Sequence, residues 1–151
     1  MKNKDDFQVN TVLNIFRASN LLSRIGGKLT VKVGLSSVQQ WILLGAISKQ
    51  EGLSLKELRE DTLVTKQNIS SMVDRLRQAG YVTTYENLSD RRITRVKLTE
   101  QGKLILEALK PLTNASNDRT FEVFEPEELV LFASLIERLV THLSQQIDRP
   151  E

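Results

Sequence analysis

The sequence predicts a mainly α-helical chain with one small antiparallel β-hairpin, an α+β fold. Three observations carry this. Apolar residues recur at helical spacing near both ends of the chain, Ser-x-x-Glu/Gln capping boxes punctuate its first half, and a β-branched and aromatic stretch, Tyr81 to Glu86, is answered by an alternating return strand, Ile93 to Leu98. With 151 residues, 40% apolar and 26% charged, the chain has room for one domain with a sizeable core, or for two small lobes sharing one.

Taken in order, residues from Phe7 to about Lys32 place Val9, Val12, Leu13, Phe16, Leu21, Leu22, Ile25 and Leu29 at helical spacing. Gly26-Gly27 is expected to interrupt this helix and to bend or soften it. After Gly34, Ser36 and Ser37 each stand three residues before a glutamine, Gln39 and Gln40, giving two overlapping capping boxes. The helix they start should carry Trp41, Leu44 and Ile47 inward and end at Gly52. A short third helix should begin at Ser54, whose partner in another capping box is Glu57, and turn Leu55 and Leu58 to the core.

The fourth helix, Thr65 to Gln78, carries the chemistry. With Ile69 at the centre of its buried stripe and roughly 100° per residue, Met72, Val73 and Leu76 join it. Gln67, Ser71 and Gln78 then point away from the core, flanked by Asn68 and Arg75 on one side and Ser70 on the other. Amide and hydroxyl side chains both donate and accept hydrogen bonds, which is what reading base edges in a major groove requires. An ordinary amphipathic helix with an amide-rich outer face is the other reading.

Ala79-Gly80 should close that helix. In the return strand Val96 and Leu98 share one face, Arg95 and Lys97 the other. The loop between the strands, Asn87-Leu88-Ser89-Asp90-Arg91-Arg92, presents two arginines, which suit a narrow minor groove where the negative potential is strongest. A solvated turn with an internal Asp-Arg pair is the alternative. A polar-faced helix followed by a basic hairpin has the order of a winged helix that reads double-stranded DNA.

Charge patterning agrees. From Thr62 to Leu98 seven basic residues face three acidic ones, a net of +4, whereas from Thr99 to Glu151 five basic residues face ten acidic ones, a net of −5. Such a division would bring a polyanion to the middle of the chain and keep it off the tail; a solvated charged surface would look the same in sequence.

Residues Asp90 to Gly102, DRRITRVKLTEQG, match an Asp-x-Arg followed by Val-x-Leu-Thr-x-x-Gly, and at every defining position this resembles the signature of MarR-type winged-helix transcription regulators. Element order and length extend the resemblance over nearly the whole chain. It implies a single MarR-type domain over 1–151, with a winged helix-turn-helix DNA-binding lobe at 35–99 and a helical dimerisation lobe built from 7–32 and 100–147. It also implies a homodimer that represses or activates at a roughly palindromic operator. Position by position, Thr65 would cap the recognition helix, Lys66, Gln67, Asn68, Ser70 and Ser71 would face bases or adjacent phosphates, and Arg75 the DNA backbone. Arg92 would be the minor-groove residue, oriented by Asp90, with Arg91 on a phosphate. Ser36 and Ser37 would meet a phosphate at the amino end of the second helix.

A dimer also follows from periodicity. Leu129, Ile136 and Leu143 recur every seven residues with Phe132 and Leu139 between them, and Leu135 and Val140 widen the stripe, on a helix starting near Pro126. Phe7, Val9 and Leu13 leave the first helix with the same need for cover, though a stripe packed on its own subunit would read alike. Dimerisation would set two recognition helices roughly 34 Å apart, one turn of DNA.

Other classes are poorly supported. His142 is the only histidine and there is no cysteine, so no metal or nucleophile set forms and disulfides and thiol switches are excluded. Gly26-Gly27 is followed by no phosphate-loop lysine, and Asp5-Asp6 and Glu127-Glu128 suit helix starts. No enzymatic activity and no cofactor are expected. No apolar run approaches the roughly 20 residues of a spanning helix, and Met1 to Asn10 is too polar for a signal peptide, so the expectation is a cytoplasmic protein without a membrane partner. The competing class is a winged helix that binds protein, or one that binds DNA non-specifically as an architectural module. The former has no need of Arg91 and Arg92 at a tip, and the latter would favour Lys and Arg over Gln and Asn on the helix. Regulators of the resembled family often answer to small amphipathic or aromatic effectors between their lobes; Phe16 and Trp41 are the candidates for lining such a crevice, and both would equally serve as core.

Overall fold

The computed structural model describes residues 3–62 and 66–147, and for residues 66 and 67 the backbone alone. Among these residues the elements run α1 (Lys4–Lys32), α2 (Val38–Lys49), β1 (Leu53–Ser54), α3 (Leu55–Thr62), α4 (Lys66–Gln78), β2 (Val82–Glu86), β3 (Thr94–Leu98), α5 (Glu100–Phe121) and α6 (Pro126–Ile147). None of the helices is long and apolar enough to cross a membrane. The chain divides into two compact units, Met1–Thr113 and Asn114–Glu151.

In the first unit α1 is one continuous helix through Gly26-Gly27. Gly26 serves packing. It is buried, and a Cβ on it would lie 3.0 Å from Val38 Cγ2 and 3.8 Å from the Trp41 ring, so the missing side chain lets α1 approach α2 closely. Of the two overlapping capping boxes before α2, Ser37 is the one used as cap: its hydroxyl accepts from the Gln40 backbone N–H at 3.3 Å, and Gln40 Oε1 reaches back to the Ser36 N–H at 2.9 Å. The helix ends at Lys49, short of Gly52, which takes φ +77° in the turn into β1. At the next start, Ser54 and Glu57 form a reciprocal box, each accepting from the other's backbone N–H.

The sheet has three antiparallel strands in the order β1-β3-β2, one more than the hairpin alone. β1 is two residues long, too short for any alternation to announce it; it pairs Leu53 with Val96 and Ser54 with Arg95. β2 and β3 pair Val82 with Leu98 through Glu86 with Thr94. α4 ends in a Schellman turn, with Gly80 at φ +84° donating to the Arg77 carbonyl and the Tyr81 N–H donating to that of Leu76. The core gathers around Leu43, Leu44, Ile47, Leu58, Ile69, Val73, Leu76, Val82, Val96 and Leu109. Truncating a fully buried leucine such as Leu58 to alanine costs about 2–5 kcal/mol.

In the second unit α6 begins at Pro126, where the seven-residue repeat places it, and spans 22 residues. Glu125 N–H is capped by the Glu128 carboxylate at 3.0 Å, and the Phe124 and Phe132 rings stack at 5.3 Å. No residue of α6 is buried, and along α1 the apolar residues from Phe7 to Ile25 are exposed, with only Gly26 and Thr30 buried.

Candidate nucleic-acid interface

α4 buries Ile69, Val73 and Leu76, with Met72 half-buried, so its sequence-predicted apolar stripe is the observed one. Asn68, Ser70, Ser71, Arg75 and Gln78 are all exposed on the remaining surface. Lys66 and Gln67 belong to its first turn, their side chains outside the described residues, and Thr65 lies outside them altogether. Ser37 is engaged as the α2 cap, while Ser36 is exposed just before it.

The wing is built by pairing from its base upward. Asn87 N–H donates to the Ile93 carbonyl at 2.9 Å and Ile93 N–H to the Asp90 carbonyl at 3.0 Å, closing the loop. Within it Asp90 and Arg92 form a fork: Nε donates to Oδ1 at 3.1 Å and a terminal guanidinium nitrogen to Oδ2 at 3.2 Å, while the Arg92 backbone N–H adds a bond to Oδ1 at 3.1 Å. The Arg92 guanidinium first, and its backbone N–H second, hold the Asp90 carboxyl below its ordinary range. The Arg92 side chain stays 91% exposed, so Asp90 orients it without hiding it. Arg91, next to it, is exposed as well.

Arg95, which counts in sequence toward the basic surface, is instead taken into the fold. Its guanidinium donates to the Gly52 carbonyl at 2.7 Å and to Asn87 Oδ1 at 3.3 Å. Lys97 on the same strand face lies 5.7 Å above the Tyr85 ring. At the foot of the wing, Thr99 Oγ1 donates to the Gly80 carbonyl at 2.6 Å and accepts from the Gly102 N–H at 3.1 Å, and the Thr99 N–H donates to the Tyr81 carbonyl at 3.0 Å. Gly102 is buried against that same Tyr81 carbonyl, with room for no side chain. The Thr-x-x-Gly of the signature is thus a joint: the threonine caps α5 and the glycine lets it seat on the end of β2. Phe16 is 63% exposed on α1 and Trp41 half-buried on α2.

A helix-turn-helix followed by a basic wing defines a winged-helix protein, and comparison with known proteins places it. A family model described as "MarR family" matches residues 33–93. The transcriptional activatory protein BadR of Rhodopseudomonas palustris is 30% identical over 98 residues, 63% of this chain and 55% of that protein; the chain thus spans little more than half of this relative's length. The HTH-type transcriptional repressor YetL of Bacillus subtilis is 27% identical over 94% of this chain and 86% of its own. Among solved structures, a mutant MarR from E. coli complexed with operator DNA superposes with a TM-score of 0.82 at 19% identity, covering 91% of this chain and 99% of that one, a likeness of fold. Residues 33–93 are thus similar to the MarR family, and the chain shares the winged helix-turn-helix fold of the solved MarR structure.

Proposed function

We propose that this chain is a sequence-specific double-stranded-DNA-binding transcription regulator, a ligand-responsive repressor that acts as a homodimer on a near-palindromic operator. The observation that carries the proposal is the pairing, in one lobe, of an exposed Asn68, Ser70, Ser71 and Arg75 face on α4 with a wing whose Arg92 is oriented by Asp90 yet open to solvent. In this reading the residues at the start of α4, Thr65 to Ser71, meet base edges or neighbouring phosphates and Arg75 the backbone. Arg92 enters the minor groove, Arg91 meets a phosphate, and Ser36 and Ser37 meet another at the start of α2.

The exposed apolar residues of α1 (Phe7, Val9, Leu13) and α6 (Phe132, Leu143), with Leu129, Ile136 and Leu139 half-buried beside them, support a second copy as partner, since so much exposed apolar surface is unusual in a monomer. Two copies would present two recognition helices to successive major-groove turns. The winged lobe at 35–99 and a dimer lobe from 7–32 and 100–147 are the division this reading requires. A small aromatic or amphipathic effector near Phe16 and Trp41 would act by favouring a dimer whose recognition helices are wrongly spaced. Footprinting on the DNA that flanks the coding region tests the proposal: a protected near-palindrome is expected, and uniform binding to any duplex would sink the sequence-specific claim.

A further inference from the structure

One half-buried side chain, Arg95, ties the outer end of the wing to the turn before β1. Arg95 sits at the centre of the three-stranded sheet, its Cα paired with Ser54 of β1 on one side and Tyr85 of β2 on the other. From there its guanidinium bridges two segments far apart in sequence, the α2–β1 turn at Gly52 and the outer end of β2 at Asn87. The Tyr85 hydroxyl lies close to the same turn, 2.8 Å from where a Cβ on Gly52 would stand. Asn87 in turn organises the loop: its amide nitrogen donates to Ser89 Oγ at 3.0 Å and its backbone N–H to Ile93. The hydrogen bonds therefore run from Gly52 through Arg95 and Asn87 to the loop that holds the Asp90-Arg92 fork.

We propose that Arg95 is the positioning residue of the wing, bridging the Gly52 carbonyl and Asn87 so that the loop carrying Arg92 is held at one height above the helix-turn-helix. The inference rests on the DNA-binding reading for its consequence, but its structural claim stands apart from DNA. Beyond the Ser54–Arg95 pair, where β1 stops, the wing is a two-stranded ribbon; such a ribbon is marginal in water by itself, and a loop at its tip opens locally at little cost. A planar guanidinium with several fixed donors can satisfy both partners at once, which a lysine ammonium on a flexible stem does poorly. Because both acceptors are taken from elements other than its own strand, Arg95 transmits the place of the α2–β1 turn to the wing rather than supplying charge to a phosphate.

The test uses the full chain and its footprinted operator. Arg95→Gln should weaken operator binding on the order of tenfold, within the range seen for residues coupled in one network. In an Arg92→Ala background the same substitution should cost nothing further, since its effect travels through the wing tip. Equal losses in both backgrounds would show that Arg95 touches DNA itself or acts on the whole lobe, and would overturn the proposal, as would no loss in either. Hydroxyl-radical protection of the minor groove should fade in Arg95→Gln while protection of major-groove guanines persists. Amide exchange read without DNA separates this idea from the DNA reading: Arg95→Gln should speed exchange at Asn87 and Ile93 and leave Leu76 to Tyr81 unchanged. Unchanged exchange at Asn87 and Ile93 refutes the positioning role even if no DNA binds. Should Arg95→Gln fail to fold, Asn87→Ala breaks the wing end of the bridge together with the Asn87–Ser89 bond, which Ser89→Ala removes alone; Asn87→Ala should give the same footprint and exchange pattern at smaller size while Ser89→Ala leaves it unaltered, and an unaltered pattern in Asn87→Ala or an equal change in Ser89→Ala refutes the proposal.

Discussion

Replacing Gly102 by alanine sets two opposed effects against each other on the joint between wing and α5. Within a helix, alanine is favoured over glycine by about 1 kcal/mol. At Gly102, however, the added methyl would overlap the Tyr81 carbonyl oxygen and lie 3.1 Å from its carbon and 3.3 Å from Leu98 Cδ2. The carbonyl cannot swing aside freely, because it accepts from the Thr99 N–H at 3.0 Å, and Thr99 in turn is tied to the Gly80 carbonyl. Overpacking of this kind costs about 1–3 kcal/mol, and a strained or lost hydrogen bond adds about 1 kcal/mol. The net expectation is a loss of about 1–3 kcal/mol, or roughly 2–12 °C in Tm for a chain of this size. Thermal and urea unfolding at one fixed protein concentration measure it, since association shifts apparent stability. Gly45→Ala in α2, where a Cβ would meet nothing within 4 Å, is the matched control and should be neutral or stabilising by up to about 1 kcal/mol. If Gly102→Ala proves as stable as the parent chain, the close-approach reasoning is wrong.

Four further outcomes are expected. Arg92→Ala should weaken operator binding by about 1–3 kcal/mol with the dimer intact, measured by fluorescence anisotropy alongside sedimentation, and should change folding stability by less than about 0.5 kcal/mol because the side chain is exposed. Gln67→Ala should lose more affinity on the operator than on random DNA in paired titrations; equal losses would show that Gln67 does not read bases. Ile136→Glu should convert the proposed homodimer to a species of 17.2 kDa by light scattering, and an unchanged mass would remove α6 from the proposed interface. Asp90, whose carboxyl is depressed by Arg92, should titrate by NMR below the ordinary aspartate range and return toward it in Arg92→Ala. This pairing contributes to stability above the unfolded carboxylate range and is lost as pH falls through the depressed folded value, so its removal should matter least in strong acid.

Local rules written into neighbouring residues were legible without coordinates. The box of Ser54 and Glu57, the apolar stripe of Ile69, Val73 and Leu76, the Gly80 turn, the two long strands and the start of α6 at Pro126 each depend on contacts within a few residues. Elsewhere the same residue types had two uses and the sequence could not choose. Gly26 reads as a helix breaker and serves as a packing gap against Val38; two overlapping boxes compete before α2 and Ser37 is the cap used. β1 was invisible because two residues carry no period.

The signature residues were visible as letters, while their physical work was not. Along the chain Arg95 differs from Arg92 only by position in a hairpin, yet one guanidinium spans 43 residues to reach Gly52 and the other stays in solvent. By itself the sequence determined the helices, the hairpin and the chemistry offered by the α4 face and the wing, because periodicity, capping and turn residues act over one or two turns of chain. Only the tertiary structure decided which basic groups remain exposed at the wing and which glycines are closed joints, because these are outcomes of distant segments competing for the same space and the same hydrogen bonds.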